Sequence, residues 1–481
     1  MKAELSITTG SHVIDILGNV IGRDQPIMLI SKAVELVSCL EEDLLTNDEV
    51  VFFDPFCKAG EILLACALAR CLAKVNKNKK MIDVKTIQEE LYGSNRYFAL
   101  APDERHHRLS LRTFLGNTNS HDEKLTRIIR DGHYLSEIDG RLDKKKFEKE
   151  FNDMLEYITT TSSKKKIVVV GNPPYQEADG GYGKSAKPIY NYFAESLMNC
   201  KDISEFLLVI PSRWFSGGKG LNDFRNAVLQ SKKTKCIKLF KDPREVFPTV
   251  DINGGICFLH LDNSHNSKSR FIDGNKENFV NLSLLDAIPD DIKAYELIEK
   301  IRIKANRFMV DYVYPRNPFG ITSTTLRSIP DSFKNKITCL IQARKRIQIP
   351  REMVLKNHAL EGKYKVAVPA AVGGTKAVRD FLPVNQFFIV EPGIVFSETY
   401  IVIGAFETQK DAEKLLSFLK TDFCRYFIGL RKLTQHLSRD CWSWVPQVDF
   451  SKSWNDDKLF EYFNLTQEEQ KHIKKKIKEW S

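Results

Sequence analysis

None of the ten cysteines in this 481-residue chain sits at C-x-x-C spacing from another, which excludes a zinc ribbon or a thiol redox pair. They read as buried or idle thiols in a reducing compartment. Met1 to Gly10 has no apolar signal core, and apolar stretches such as Phe206 to Pro211 fall far short of the roughly 18 residues a membrane span needs. The expected location is the cytoplasm, with no membrane partner. The phosphate loop G-x-x-x-x-G-K-[ST] is missing, and so is G-x-G-x-x-G, which argues against an NTPase and a dinucleotide dehydrogenase. Acidic residues are the scarcer charge, 62 against 72 basic ones for a net charge of +10. That balance favours a polyanionic partner without identifying one.

What is present follows the grammar of an open α/β sheet. Apolar residues recur at helical spacing from Pro26 to Leu40, Val50 to Phe53 reads as a short buried strand, and Ile62 to Leu72 is a helix rich in Leu and Ala. Leu91-Tyr92-Gly93, Ile167 to Val170 and Phe206 to Ile210 read as further central strands, apolar on both faces. The expected fold is a doubly wound, mostly parallel α/β sheet. Residues 118 to 166 are highly charged and read as a solvated insertion. The composition changes near residue 300, which divides the chain into residues 1–295 and a mixed α/β module, 296–481. Within that module, Ser332 to Arg351 carries six basic residues and no acidic one: Lys334, Lys336, Arg344, Lys345, Arg346 and Arg351. A phosphate-facing surface and a merely solvated face both fit this segment.

Two segments carry candidate chemistry. Asp54-Pro55-Phe56-Cys57-Lys58-Ala59-Gly60 joins the first strand to a helix, where open α/β sheets bind ligands. Gly60 lets a ligand approach the backbone closely. An acid in place of a glycine-rich phosphate nest suits a positively charged sulfonium better than a nucleotide triphosphate. The second segment, Asn172-Pro173-Pro174-Tyr175, ends an apolar strand abruptly. Two prolines remove two N–H donors and fix two φ angles, so the adjacent carbonyls are rigidly aimed. The Asn172 side-chain oxygen and the Pro173 carbonyl can each accept one hydrogen of an aromatic amine, favouring a pyramidal nitrogen with its lone pair exposed. Tyr175 offers a face for an extruded base. The plain alternative is a proline-terminated strand with a packed tyrosine.

The order Asp54-Pro55-x-x-x-x-Gly60, then Asn172-Pro173-Pro174-Tyr175, then a long C-terminal module resembles the gamma-type amino DNA methyltransferases, in particular the Eco57I-like modification methylases. Gln25-Pro26, Ile189 to Phe193, Ile210 to Trp214, Thr421 to Lys432 and Trp444 to Gln447 are similar to further segments of that family. The resemblance implies a class I S-adenosylmethionine-dependent methyltransferase fold over residues 1–295 and a target-recognition domain over 296–481. It implies S-adenosylmethionine as cofactor, no metal requirement, duplex DNA as partner, adenine N6 as the methyl acceptor after base flipping, and a possible separate restriction endonuclease subunit. Asp54, Pro55, Phe56 and Gly60 would line the cofactor, and Phe247 would stack on the base opposite Tyr175. Asn95 and Asn117 stand where the family usually has acids for the cofactor ribose and adenine. Lys58 replaces a glycine of many relatives, a departure tolerable if its side chain points to solvent. An inactive DNA-binding specificity subunit, or an RNA or protein-glutamine methyltransferase, remains an alternative.

Overall fold

Val50-Val51-Phe52-Phe53-Asp54 forms β1, with every residue buried. A strand apolar on both faces needs cover on both, and the elements around it supply that cover. In the computed structural model, residues 27–74, 82–115, 128–129, 132–136, 140–163, 166–177, 186–218, 220–248, 252, 255–289, 291–372, 384–432 and 436–479 are described. They divide into two units, Met1–Ile288 and Pro289–Ser481.

In the first unit α1 (Ile30–Val37) and α2 (Glu42–Thr46) lead into β1, and α3 (Glu61–Lys74) follows it. Then come α4 (Val84–Gly93), β2 (Tyr97–Leu100), α5 (Glu104–Leu115), β3 (Ile128–Ile129), α6 (Lys144–Thr161) and β4 (Lys166–Gly171). The unit continues with α7 (Tyr190–Asn199), β5 (Ile203–Pro211), α8 (Asn222–Gln230), β6 (Thr234–Phe240), β7 (Ile256–Asp262), β8 (Ser269–Asp273) and β9 (Lys276–Val280). All nine strands join one sheet in the order β3-β2-β1-β4-β5-β7-β6-β8-β9. From β3 to β5 every pairing is parallel. Strand β7 inserts antiparallel between β5 and β6, placing Leu208 opposite Leu259 and Ile237 opposite Leu259.

Two expectations from the sequence are corrected here. Leu91-Tyr92-Gly93 is not a strand but the last turn of α4, which Asp83 caps by accepting from Thr86 N. Ile87 and Leu91, one turn apart, are its buried face, so a short apolar run belonged to a helix. The charged stretch before β4 is also not merely solvated, because α6 buries Phe147, Phe151, Met154, Leu155 and Ile158. Their i, i+4, i+7, i+8, i+11 spacing is one helical stripe beneath the lysines. Phe151 stacks on Phe53 of β1 with ring centroids 5.5 Å apart.

The second unit begins with α9 (Ile292–Lys304), capped by Asp291. A boundary at 295/296 would cut this helix; the units divide before it, between Ile288 and Pro289. Two three-stranded sheets follow. In one, β10 (Lys336–Ile341) pairs with β11 (Lys345–Pro350) and β14 (Ile394–Phe396). In the other, β12 (Tyr364–Pro369) pairs with β13 (Phe388–Val390) and β15 (Tyr400–Phe406). Helices α10 (Gln409–Leu419), α11 (Asp422–Arg431), α12 (Asp456–Tyr462) and α13 (Gln467–Glu479) complete the unit. Asp291 accepts from the Tyr426 hydroxyl at 2.8 Å and lies 2.6 Å from His472 Nε2, tying α9 to α11 and α13. Among the described residues no helix is long and apolar enough to cross a membrane.

Candidate active site

The sheet reverses its winding between β1 and β4: β2 and β3 extend from one side of β1, while β4 and β5 extend from the other. A switch of this kind opens a crevice beyond the carboxyl ends of the two central strands. Phe53 lies opposite Val169, so Asp54 and the pair Gly171-Asn172 leave the sheet side by side. Gly171 lies in ordinary strand backbone, and contact rather than conformation demands it. A Cβ there would sit 2.8 Å from Asp54 Oδ1 and 2.9 Å from Phe56 Cδ2.

The loop after β1 is held from several directions. Asp54 accepts from Phe56 N at 2.9 Å, and Tyr134 donates its hydroxyl to Pro55 O at 2.8 Å. Phe56 is buried among Tyr134, Phe147 and Phe193, with centroids 6.1, 6.3 and 5.0 Å away. Gly60 has φ +76°, a left-handed conformation that costs a side-chain-bearing residue about 1 kcal/mol or more. Glu61, the first residue of α3, accepts from Met28 N at 3.2 Å and Ala59 N at 3.1 Å.

Charge in this loop is buried. Asp54 is 2 % exposed. Burial, followed by the neighbouring Glu61, pushes its carboxyl well above the usual range, while the Phe56 N–H and Lys58 pull it back. Lys58 is 5 % exposed, so the condition of a solvent-facing side chain is not met. Burial pushes its ammonium down to about 8, with Glu61 and Asp54 acting in the opposite direction. Phe56, Lys58, Pro102, Gly132, His133, Tyr134, Leu135 and Pro174 line a narrow crevice beyond the ends of β1, β2 and β4.

Asn172 is 2 % exposed and Pro173 is buried behind it, whereas Pro174 and Tyr175 are half-buried. Tyr175 O accepts from Ile189 N at 3.1 Å, fixing the segment to the start of α7. Burial pushes the Tyr175 phenol well above its ordinary value. Phe247 does meet Tyr175, with ring centroids 6.4 Å apart and planes at 68°. This is an edge-to-face contact of a buried Phe247, not two parallel faces with a gap for a base. Tyr190 packs on Tyr175 in the same manner, at 6.4 Å and 81°.

Asn95 is not at this site. It has φ +50° and precedes β2, at the amino end of the strand and so at the opposite edge of the sheet. The misplacement follows from reading the end of α4 as a strand. Asn117 lies outside the described residues. The carboxyl end of β2 leads instead into Ala101-Pro102-Asp103. Asp103 caps α5, accepting from His106 N at 2.9 Å with His106 Nδ1 2.7 Å away. Burial alone would raise this acid, but the bonds from His106 outweigh it and hold the carboxyl below its usual value. The sequence carried a signal for it: the run Tyr97 to Leu100 ends in a Pro-Asp pair, a turn and helix cap.

The six basic residues lie together in the second unit, all exposed, on and around the β10–β11 hairpin. Arg346 pairs with Glu391 at 3.2 Å and Arg351 with Glu361 at 2.5 Å. The Arg344 guanidinium lies 4.3 Å from the Phe388 ring centroid and donates to Asn385 O at 2.6 Å. Lys336 reaches over Phe333 at 5.4 Å, and Lys334 and Lys345 make no ion pair among the described residues. Ala343 and Arg344 at the hairpin tip both have φ +58°, the conformation of tight hairpin turns. Among the described residues no cluster of His, Cys, Asp or Glu forms a metal site.

A sheet in which β1 to β7 run 3-2-1-4-5-7-6 with β7 reversed, with an acidic loop after β1 and an Asn-Pro-Pro-Tyr end on β4, is a class I S-adenosylmethionine-dependent methyltransferase fold. Residues 70–247 match the family described as Eco57I restriction-modification methylase. The match contains Asn172 to Tyr175 and ends at Phe247. A Mycoplasma pneumoniae protein named "Uncharacterized adenine-specific methylase" is 30 % identical over 103 residues, 21 % of this chain and 24 % of the relative. The aligned part therefore spans about a quarter of that relative. Similar solved structures include the Type IIL restriction-modification enzyme MmeI in complex with DNA: 11 % identity, TM-score 0.39, 89 % of this chain and 66 % of that one. A nuclease-deletion mutant of the Type ISP enzyme LlaGI with a DNA substrate mimic gives 10 % identity, TM-score 0.40, and coverage of 86 % and 52 %. The fold assignment rests on the strand order of this chain rather than on these likenesses.

Proposed function

We propose that the protein transfers a methyl group from S-adenosylmethionine to the exocyclic N6 amine of adenine in duplex DNA, as the modification component of a restriction-modification system. The observation that carries this reading is the adjacency of Asp54 and Asn172 at the switch point of the sheet. The cofactor suits the loop chemically, since two buried acids, Asp54 and Glu61, face one buried lysine, a balance that favours a ligand rich in positive charge. When bound, S-adenosylmethionine supplies an electrophilic methyl group on a sulfonium.

The chain's own residues then have distinct tasks. Asn172 Oδ1 and Pro173 O accept the two amine hydrogens, withdrawing the nitrogen lone pair from the ring and aiming it at the methyl group. Burial of Asn172 strengthens these bonds by excluding water. Transfer would form the new N–C bond as the S–CH3 bond breaks with its electron pair left on the thioether sulfur, and the surplus amine proton would leave to water by way of these acceptors. Tyr175 stacks on the extruded base. For Phe247 to provide the opposite face, it must swing out of its edge-to-face contact with Tyr175 as the base enters. Asp103, at the exit of β2, takes the ribose-binding role expected of Asn95. The hairpin residues Lys334, Lys336, Arg344, Lys345, Arg346 and Arg351 face the DNA backbone, with DNA attraction greatest at Lys334, Lys336, Arg344 and Lys345, which make no ion pair among the described residues.

Single-molecule sequencing of DNA from cells expressing the protein tests this reading. N6-methyladenine at one recurring sequence is expected. Unmodified adenine throughout, with methyl groups appearing in RNA or protein, would overturn it.

A further inference from the structure

We propose that Lys58 binds the α-carboxylate of the methionine end of S-adenosylmethionine, making this loop selective for the intact amino-acid end of the cofactor. The proposal rests on the cofactor reading above. Among the described residues Lys58 is the one lysine or arginine that lines the cleft beyond β1, β2 and β4. The other walls are Phe56, Pro102, Tyr134, Leu135 and Pro174, with Gly132 and His133. Behind this wall Asp54 and Glu61, both buried, act on the charge of Lys58.

The charges of ligand and loop are complementary. The methionine end carries two cations, the sulfonium and the ammonium, and one anion, the carboxylate. The loop offers two acids, Asp54 and Glu61, and one ammonium, Lys58. Burial costs that ammonium part of its proton affinity, and the groups facing it are Asp54 from the end of β1, Cys57 in the loop and Glu61 from α3. A further anion brought against Lys58 favours its charged form. A surface lysine would not discriminate in this way, because water screens it. The loop that a glycine leaves open to backbone approach is here closed by a charged side chain, and selectivity is what that exchange provides.

Calorimetric titration of the full chain with S-adenosylmethionine and with decarboxylated S-adenosylmethionine tests the assignment, since the two differ only in the carboxylate. A buried charge-assisted hydrogen bond predicts that the wild type prefers the intact cofactor by about ten- to a hundredfold. Lys58→Met should bring the two ligands to within about threefold of each other. Equal binding of both by the wild type would overturn the proposal even if the variant fails to fold. So would a Lys58→Met protein that keeps the wild-type preference, because Lys58 would then serve only as a counterion to Asp54 and Glu61. A wild type that binds neither compound would refute the cofactor reading itself.

Discussion

Replacing Gly171 with alanine probes the switch point with a single methyl group. The strand backbone there accepts alanine, so the effect is steric. The new Cβ lies 2.8 Å from Asp54 Oδ1 and 2.9 Å from Phe56 Cδ2, about half an ångström inside ordinary contact with each. Neither neighbour moves cheaply. Asp54 is tied to Phe56 N at 2.9 Å, and Phe56 is held by Tyr134, Phe147 and Phe193. Overpacking of this kind costs about 1–3 kcal/mol, and displacing a buried acid from a cationic ligand weakens binding by about tenfold or more. Urea unfolding reads the first quantity, and calorimetric titration with S-adenosylmethionine reads the second. If Gly171→Ala matches the wild type in both, β1 and β4 do not end against each other as described.

Asp103→Ser keeps an oxygen to cap α5 but removes the charge at the exit of β2, so helix content should hold while cofactor affinity falls by about tenfold; unchanged affinity would remove Asp103 from the site. Replacing Arg344, Lys345 and Arg346 together with alanine should weaken DNA binding and flatten its dependence on salt. Because Arg346 already pairs with Glu391 and Arg344 packs on Phe388, the slope should fall by about one to two, not the full three of unpaired phosphate contacts. A slope identical to that of the wild type would take this hairpin out of the interface. For Asp291, burial alone would raise the carboxyl, but the bonds from His472 and Tyr426 outweigh it and hold the acid below its usual value. The stability it contributes is therefore present above the ordinary carboxylate pKa near 4 and is lost as pH falls through the lower folded value. Asp291→Asn should destabilise the second unit at pH 7 and progressively less below about pH 4; a penalty independent of pH would contradict the charged pairing.

The elements that build the reaction centre were readable because they are local. The run Ile167 to Val170 followed by Asn172-Pro173-Pro174-Tyr175 announces a buried strand that must stop, and Asp54 to Gly60 announces a turn into a helix. That these two ends lie side by side depends on parallel pairing between residues more than a hundred positions apart, which no local pattern encodes. Leu91-Tyr92-Gly93 misled because three apolar or small residues fit either a strand or the last turn of a helix, and Asn95 was misplaced as a consequence. The lysines of residues 144–146 concealed the stripe from Phe147 to Ile158, since composition averages over a helix that has two faces. At Lys58 the residue type suggested solvent, and only the packing of Phe56, Tyr134 and Pro174 around the same cleft reveals a buried ammonium. The basic imbalance of the β10–β11 hairpin was visible, but Glu361 and Glu391, which neutralise part of it, lie 10 and 45 residues from their partners.

The most direct test of methyl transfer by Asn172 is to incubate the purified protein with duplex DNA and S-adenosylmethionine labelled in its methyl group, then digest the DNA to nucleosides and identify the labelled species by mass spectrometry. The wild type should yield N6-methyldeoxyadenosine, and Asn172→Ala should yield it about a hundredfold or more slowly while still binding cofactor and DNA. Label on cytosine or on no nucleoside, or an Asn172→Ala protein that methylates adenine at the wild-type rate, would contradict the assignment.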